Sequence, residues 1–171
     1  IENLVNEFSD FARMPKPIIK KNNLIKIIEN NINLLKELSN EIKINFLHNN
    51  KSIFINCDLD QINRVFLNLI KNSIESINEK ALKDKVFNKI INIEIAIEND
   101  YIKVIIEDNG IGFSSDNLKN IIKPYFTTKL KGTGLGLPIV TKIINDHNGN
   151  IKFLPKKDGA LVEIFFINNV S

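Results

Sequence analysis

The chain has 171 residues, 43% of them hydrophobic and 25% charged, which is ordinary for a globular domain with a buried core. A formal net charge of +3 is too small to indicate nucleic-acid binding, and the single cysteine, Cys57, excludes an internal disulfide and fits a reducing compartment. No apolar run reaches the roughly 20 residues that a membrane span needs.

The first predicted element is a helix over residues 1–14, because IENLVNEFSDFARM repeats apolar side chains at helical spacing. It ends at Pro15 and Pro17, which cannot continue a helix. Because the chain begins at Ile1 without a methionine, we expect a segment of a longer protein in which this helix begins upstream. Its apolar stripe fits either a partner helix or packing onto its own domain, and the pattern leaves both open.

Short elements are predicted next. A strand near Pro17–Lys20 leads into a helix over residues 24–40. Residues 41–48 and 52–56 then alternate between apolar and polar, which predicts a pair of strands joined at NNK.

The strongest helix prediction covers residues 58–81, where Asp58 stands three residues before Gln61, close to a capping box. Its buried stripe is predicted to be Ile62, Val65, Phe66, Leu69, Ile70, Ser73 and Ile77. In chain order, the remaining elements are strands 90–98 and 101–108 with a tight turn between them, an irregular stretch 109–133, a helix over 135–147, and strands 150–155 and 160–167. These patterns predict an α+β fold, a two-layer sandwich with a mostly antiparallel sheet and about three helices.

Five of the seven glycines fall in two short places, DNGIGF and KGTGLG. In the first, Asp108 ends a strand, and Gly110 and Gly112 follow it. Glycine would let the backbone approach a flat ligand closely, while the carboxylate could accept a hydrogen bond from an amino group such as that of adenine. Asn-Gly after a strand is also a plain turn signal, so this reading is not unique.

In KGTGLGLPIV, glycines precede a helix whose first N–H groups attract anions such as phosphates. Residues 117–145 also contain no acid but five lysines, Lys119, Lys123, Lys129, Lys131 and Lys142. This composition favours a mobile, positive lid over an anionic ligand, and a simple helix-entry loop is the alternative.

Asn68, Asn72 and Glu75 share one face of the helix predicted over 58–81. An asparagine oxygen is a suitable ligand for Mg²⁺, which binds nucleotide phosphates through few protein groups. In so asparagine-rich a chain, the pair could also arise by chance.

Taken in order, NLIKNSIES, DNGIGF, PYFTT and KGTGLGL resemble the N box, first glycine box, F box and second glycine box of sensor histidine kinases. Those kinases belong to the wider ATPase group of DNA gyrase, Hsp90 and MutL, and the resemblance covers about residues 17–167. VNEFSDFARMPKP and PYFTTKLKGTGLGLPIV are similar to nitrogen-regulation kinases of the NtrY type. The resemblance implies the Bergerat fold for residues 15–171, and it implies that residues 1–14 end the dimerisation and phosphoacceptor hairpin.

The resemblance also implies residue roles, with ATP and Mg²⁺ as cofactors. Asn72 would bind the metal with support from Asn68, Asp108 would accept from adenine, and Lys129 would contact the terminal phosphates. Where many of these kinases carry a lysine, three residues after the metal-binding Asn, this chain has Glu75. The other residues that the resemblance places at the nucleotide are Gly110, Ile111, Gly112, Thr128, Gly132, Thr133, Gly134, Leu135, Gly136 and Leu137.

The reaction implied is γ-phosphoryl transfer to a histidine, for relay to a response regulator. Neither histidine of this chain fits the family's acceptor: His48 is expected at a strand end, and His147 near a helix C-terminus, where a partly charged ring is favourable. The acceptor is therefore expected on the upstream hairpin of a homodimeric, cytoplasmic and membrane-anchored kinase.

Three other functions compete with this one. Hydrolysis of the gyrase or MutL type needs a base at the position of Asn68, which cannot take a proton. A nucleotide-sensing docking domain without transfer activity stays open, and a nucleic-acid partner is disfavoured because few aromatic residues accompany the lysines.

Overall fold

The computed structural model describes residues 2–84, 86–114, 116–129 and 132–168. The helices are α1 (Glu2–Ala12), α2 (Leu24–Leu34), α3 (Leu59–Lys83) and α4 (Gly136–Asp146), with a 3₁₀ turn at Lys36–Ser39. The strands are β1 (Lys20–Asn23), β2 (Lys43–Leu47), β3 (Phe54–Cys57), β4 (Ile90–Glu98), β5 (Tyr101–Asp108), β6 (Asn150–Pro155) and β7 (Ala160–Ile167).

Five of the strands form one sheet in the order β2-β4-β5-β7-β6. Strands β2 and β4 run parallel, while the other neighbours are antiparallel, so the sheet is mixed. Apolar residues of α2, α3 and α4 pack with one face of this sheet into a single core. The predicted two-layer α+β sandwich is confirmed.

The prediction that residues 41–48 and 52–56 pair with each other is wrong. Strand β2 lies parallel to β4, whereas β3 pairs antiparallel with β1 in a separate two-stranded sheet. Alternation shows which face of a strand is buried but does not identify its partner. Strand β1 also starts later than expected, at Lys20, because KKNN carries no alternation to mark it.

Helix α3 joins the core along its whole length. Each residue of the predicted stripe is buried, and Ile62, Val65, Phe66, Ile70 and Ile77 are fully so. The helix predicted over 24–40 is shorter, since α2 ends at Leu34 and gives way to the 3₁₀ turn. No helix among the described residues is both long and apolar enough to span a bilayer.

Asp58 ties three parts of the fold together at the start of α3. Its carboxylate accepts from the Gln61 N–H at 3.0 Å and from the Ile18 N–H at 2.8 Å. Its own N–H donates to Nε2 of His147 at 3.0 Å, where α4 ends. The Gln61 side chain turns to the Pro15 carbonyl, so the cap is one-sided and not a full capping box.

His147 follows the last residue of α4, as expected. Its ring is buried, Nε2 accepts from Asp58, and Nδ1 lies 2.7 Å from the Ile143 carbonyl, to which it donates. Both ring nitrogens thus have partners within the fold. His147 is therefore a structural link between α3 and α4.

We expect Asp58→Ala to lower the free energy of unfolding by about 1–2 kcal/mol, because α3 loses its N-cap. Asp60→Ala, an exposed carboxylate in the same first turn, should change it by less than about 0.5 kcal/mol. Urea unfolding followed by circular dichroism measures both, and equal losses would contradict the capping role.

Candidate functional site

Helix α3 is the surface on which the predicted site residues meet. Gly136, at the start of α4, packs against Asn68, since an added Cβ would lie 3.4 Å from the Asn68 carboxamide oxygen. The amide nitrogen of Asn68 donates to the Arg64 carbonyl at 2.9 Å within the same helix. One turn further on, Nζ of Lys129 lies 3.3 Å from Oδ1 of Asn72. The second glycine-rich loop and the lysine-rich segment therefore both reach α3.

Asp108 reaches the same helix from the end of β5. Its side chain is 5% exposed, and its Oδ1 accepts from the Gly110 N–H at 2.9 Å and from the Ser76 hydroxyl at 3.5 Å. The Ser73 hydroxyl and the Ala160 N–H are also near enough to help lower the pKa of this carboxyl. The three segments that the sequence assigned to one site therefore lie side by side along α3.

The surroundings of Asp108 shift its acid strength. Burial raises the pKa of the carboxyl above its ordinary value, although the hydrogen bonds from Gly110, Ser73, Ala160 and Ser76 lower it in part. The oxygens are thus held in a poorly hydrated place, where hydrogen bonds are stronger than in water. These oxygens could accept a hydrogen bond from a donor such as the amino group of a purine.

The glycines after Asp108 are required by packing within the protein. A Cβ on Gly110 would lie 2.3 Å from Oγ of Ser76, and one on Gly112 would lie 2.1 Å from the Gly159 carbonyl oxygen. Gly112 also has φ +73°, which disfavours other residues. Between them, Ile111 is 43% exposed and donates its N–H to the Ser76 carbonyl at 3.3 Å. The turn therefore presents one apolar side chain beside a buried carboxylate.

The F box and the second glycine box form one structural unit. The Tyr125 N–H donates to the Gly134 carbonyl at 3.0 Å, and a Cβ on Gly134, whose φ is +70°, would lie 2.5 Å from the Tyr125 carbonyl carbon. A Cβ on Gly132 would lie 2.3 Å from Oγ1 of Thr127. Lys131, one of the predicted lid lysines, lies outside the described residues.

Lys129 is the lid lysine that contacts α3. Besides its contact with Asn72, its ammonium group forms an ion pair with Glu75, whose carboxylate also lies 3.9 Å from Nζ of Lys71. The side chains of Lys129 and Glu75 are 32% and 41% exposed. A lysine from the lid and a glutamate from α3 therefore meet beside the Asn72 oxygen.

The residues around Asn72 suit a magnesium ion that binds together with a nucleotide better than a metal site built from protein ligands alone. Within the described part of the chain, no group of three or more His, Cys, Asp or Glu side chains could hold a metal ion. The neutral Asn72 oxygen already faces the cationic Lys129 ammonium, so it is oriented toward positive charge. Mg²⁺ takes one or two protein ligands and completes its shell with phosphates and water.

The other residues predicted to bind the nucleotide differ in which of their groups are available to a ligand. Leu135 is fully buried and Leu137 packs against the core, so their side chains anchor the loop and leave only main-chain groups for a ligand. Thr128 is exposed. The Thr133 hydroxyl accepts from the Leu135 N–H at 3.4 Å and donates to the Glu7 carboxylate.

Helix α1 contacts the domain, while Val5 and Phe8 stay 59% and 48% exposed, so its apolar stripe is only partly covered. Phe11 and Met14 pack against the core, and the Phe8 ring centroid lies 6.1 Å from that of Tyr125. With the bond from Thr133 to Glu7, α1 contacts both the F box and the second glycine box.

Sequence reasoning missed three residues of the site, Ser73, Ser76 and Gly159. Ser73 was placed in the buried stripe, and its being the one polar member of that stripe was the available signal for a partner such as Asp108. Gly159 stands in the turn KKDGA, which marks a loop but gives no sign that the loop approaches Asp108.

Residues 57–168 match the family model described as histidine kinase-, DNA gyrase B- and HSP90-like ATPase. A Rickettsia conorii protein described as an NtrY-like sensor histidine kinase is 35% identical over 167 residues, which is 97% of this chain and 27% of that protein. The chain thus spans about a quarter of the length of the relatives it matches.

Solved structures give the same similarity in three dimensions. The nucleotide-free catalytic domain of histidine kinase ThkA aligns with a TM-score of 0.76 and 27% identity, over 88% of this chain and 95% of that one. ThkA in complex with the response regulator protein TrrA aligns with a TM-score of 0.80 and 23% identity, over 98% of this chain and 47% of that one.

We expect Asp108→Asn to change how stability depends on pH. A folded pKa above the ordinary 3.8 means that the folded protein binds the proton more readily than the unfolded chain. The stability contributed by Asp108 is therefore greatest below pH 3.8, the ordinary pKa, and is lost as pH rises through the higher pKa of the folded protein. The stability of the variant relative to the original protein should accordingly increase as pH rises over this range.

Urea unfolding at a series of pH values measures this difference. Asp116→Asn, which changes an exposed carboxyl, serves as the matched control and should give a flat difference. A flat difference for Asp108→Asn as well would contradict the raised pKa.

Proposed function

Because the chain belongs to the histidine kinase-, DNA gyrase B- and HSP90-like ATPase family, we propose that it is the ATP-binding catalytic domain of a sensor histidine kinase. The observation that carries the proposal is the convergence of Asn72, Asp108, Lys129 and the second glycine-rich loop on α3. The similarity to an NtrY-like kinase, which covers nearly the whole chain, supports the same assignment.

In this proposal the two ends of the nucleotide are recognised by different chemistry. Asp108 accepts from the adenine amino group in a poorly hydrated place, while the exposed apolar side chain of Ile111 packs on the base. Gly110 and Gly112 hold the turn close to α3 and so fix where the base can lie.

At the phosphate end, Asn72 provides a metal ligand with support from Asn68, and Lys129 provides a positive charge for the terminal phosphate. When bound, Mg²⁺ would supply charge neutralisation of the phosphates. Main-chain N–H groups that precede α4 and begin it are suited to phosphate oxygens. The residues assigned to this part of the nucleotide are Thr128, Gly132, Thr133, Gly134, Leu135, Gly136 and Leu137.

The proposed reaction breaks the bond between the γ-phosphorus and its bridging oxygen, which leaves with ADP, and forms a bond between that phosphorus and a histidine nitrogen. Positioning and charge neutralisation contribute most to such transfers. Neither histidine of this chain is suited to be the acceptor. Both ring nitrogens of His147 are engaged within the core, and Nδ1 of His48 lies 2.8 Å from the Asn50 carbonyl at the end of β2.

Phosphoryl transfer is favoured over ATP hydrolysis because Asn68 of α3 stands where a hydrolysing enzyme would carry a base that activates water. Asn68 donates to the Arg64 carbonyl and presents a carboxamide oxygen to Gly136, and a carboxamide cannot take a proton from water.

The partners follow from the proposed function. Residues 1–14 would end the dimerisation and phosphoacceptor hairpin, and residues 15–171 would form the catalytic domain. The phosphoryl group would pass to a response regulator, as suits a relative of ThkA, which has been seen in complex with one. We further propose a homodimeric kinase with this domain in the cytoplasm and a membrane anchor elsewhere in the longer protein.

Asn72→Ala should abolish magnesium-dependent ATP binding while leaving the fold intact, because the side chain is half-buried at the site and absent from the core. Asn78→Ala, an exposed asparagine on the same helix, is the matched control and should bind normally. Calorimetric titration with Mg-ATP measures both variants. Near-normal binding by Asn72→Ala would refute the metal role.

The 171-residue chain should bind ATP without labelling itself, whereas a longer chain that includes the upstream hairpin should become phosphorylated on histidine. Incubation with γ-labelled ATP, followed by acid treatment, distinguishes an acid-labile phosphohistidine from phosphoesters. Labelling of the 171-residue chain at His48 or His147 would contradict the assignment of the acceptor. Binding without transfer by the longer chain would favour a docking domain.

A further inference from the structure

Glu75 lies on α3 between two lysines that come from different parts of the chain. Its Oε2 forms the ion pair with Nζ of Lys129, and its Oε1 lies 3.9 Å from Nζ of Lys71, one turn earlier on the same helix. All three side chains reach water, so neither pair is locked in a low-dielectric interior. The carboxylate would therefore keep a cationic neighbour if Lys129 took another partner.

Backbone contacts fix where the side chain of Lys129 begins. The Lys129 N–H donates to Oγ1 of Thr127 at 3.1 Å, and its carbonyl accepts from the Gly132 N–H at 3.2 Å. An added Cβ on Gly132 would lie 3.1 Å from the Cβ of Lys129, so the second glycine-rich loop packs against this residue. Lysine carries its charge on a flexible four-carbon stem, so the ammonium group can change partner while its backbone stays in place.

The acid that pairs with Lys129 comes from another element. Residues 117–145 contain no Asp or Glu, so a carboxylate partner must reach Lys129 from outside its own segment. Glu75 provides it from α3, at the position where the resemblance to sensor kinases leads us to expect a lysine. Nζ of Lys129 also lies 3.3 Å from Oδ1 of Asn72, the proposed metal ligand. A negative charge therefore stands beside the place proposed for the phosphates.

We propose that Glu75 is a specificity-determining residue that acts through Lys129. In the free protein its carboxylate holds the ammonium group, and it competes for that group with the terminal phosphate of ATP. This inference rests on the proposed function, because it concerns the same nucleotide site. When ATP binds, Lys129 exchanges the carboxylate for the phosphate, and Glu75 keeps Lys71 as its neighbour. ADP is one phosphate shorter and leaves Lys129 paired with Glu75.

The exchange of partners has a definite sign. The ion pair must be given up before Lys129 can bind the phosphate, so the pair lowers the affinity for ATP and leaves the affinity for ADP unchanged. Partly exposed ion pairs change an equilibrium constant by up to about fivefold. A role of Glu75 in the fold alone would instead change the affinities for both nucleotides by the same factor.

The experiment measures the affinity of the 171-residue chain for Mg-ATP and for Mg-ADP by calorimetry. Glu75→Gln removes the charge and keeps the shape of the side chain, and it is compared in the original chain and in the Lys129→Met background. Asp60→Asn is the matched control, because it removes one exposed carboxylate from the first turn of the same helix, about 22 Å from Glu75.

We expect Glu75→Gln to bind ATP about three- to fivefold more tightly than the original chain and to bind ADP within about twofold of it. In the Lys129→Met background, the same change should alter the ATP affinity by less than about twofold, because no lysine is left to compete for. Asp60→Asn should match the original chain with both nucleotides.

Three outcomes would overturn the competition between Glu75 and the phosphate. They are an unchanged ATP affinity in Glu75→Gln, an equal gain for ATP and ADP, and a gain that persists in the Lys129→Met background, which would indicate direct repulsion of the nucleotide. Failure of the original chain to bind either nucleotide would instead refute the proposed function.

Discussion

The close approach of the turn at residues 108–112 to helix α3 is the contact on which the site depends. The backbone at Gly110 comes so near to α3 that a Cβ would lie 2.6 Å from the Ser76 carbonyl carbon. No other residue fits there without moving the strand or the helix. Because β5 ends at Asp108 and α3 carries Asn68 and Asn72, this contact fixes the distance between the two ends of the site.

The two ends differ in how they are held. At the end marked by Asp108, the carboxylate is buried and accepts hydrogen bonds from the Gly110 N–H in the turn after β5 and from the Ser76 hydroxyl of α3, so the acceptor is rigid. At the end marked by Asn72, the partner is the partly exposed Lys129 of the lysine-rich segment, which also pairs with Glu75. A base is a rigid ligand that needs a preformed slot, whereas a phosphate chain that gives up a group needs contacts that can be remade.

How much the sequence could predict depended on how local each signal was. The period of the apolar residues gave α3 and its buried stripe, and the order of the motifs gave the fold and the convergence on α3. The pairing of β2 with β4 could not be predicted, because alternation carries no information about the neighbouring strand. The contacts of Ser76 and Gly159 were also out of reach, since they depend on loops that meet only in the folded chain.

In the proposed function, the ion pair between Lys129 and Glu75 would hold the lysine in place until a phosphate binds. Both side chains are about one-third exposed or more, and pairs of that kind contribute about 0–1 kcal/mol because water screens them. A multiply charged phosphate is a stronger partner than a single exposed carboxylate. In the proposed function, Glu75 would keep Lys129 beside Asn72 at little cost and would release it to a more strongly charged phosphate. A lysine on α3 at position 75 would repel Lys129, so the acidic residue at this place suits a lid that supplies the positive charge itself.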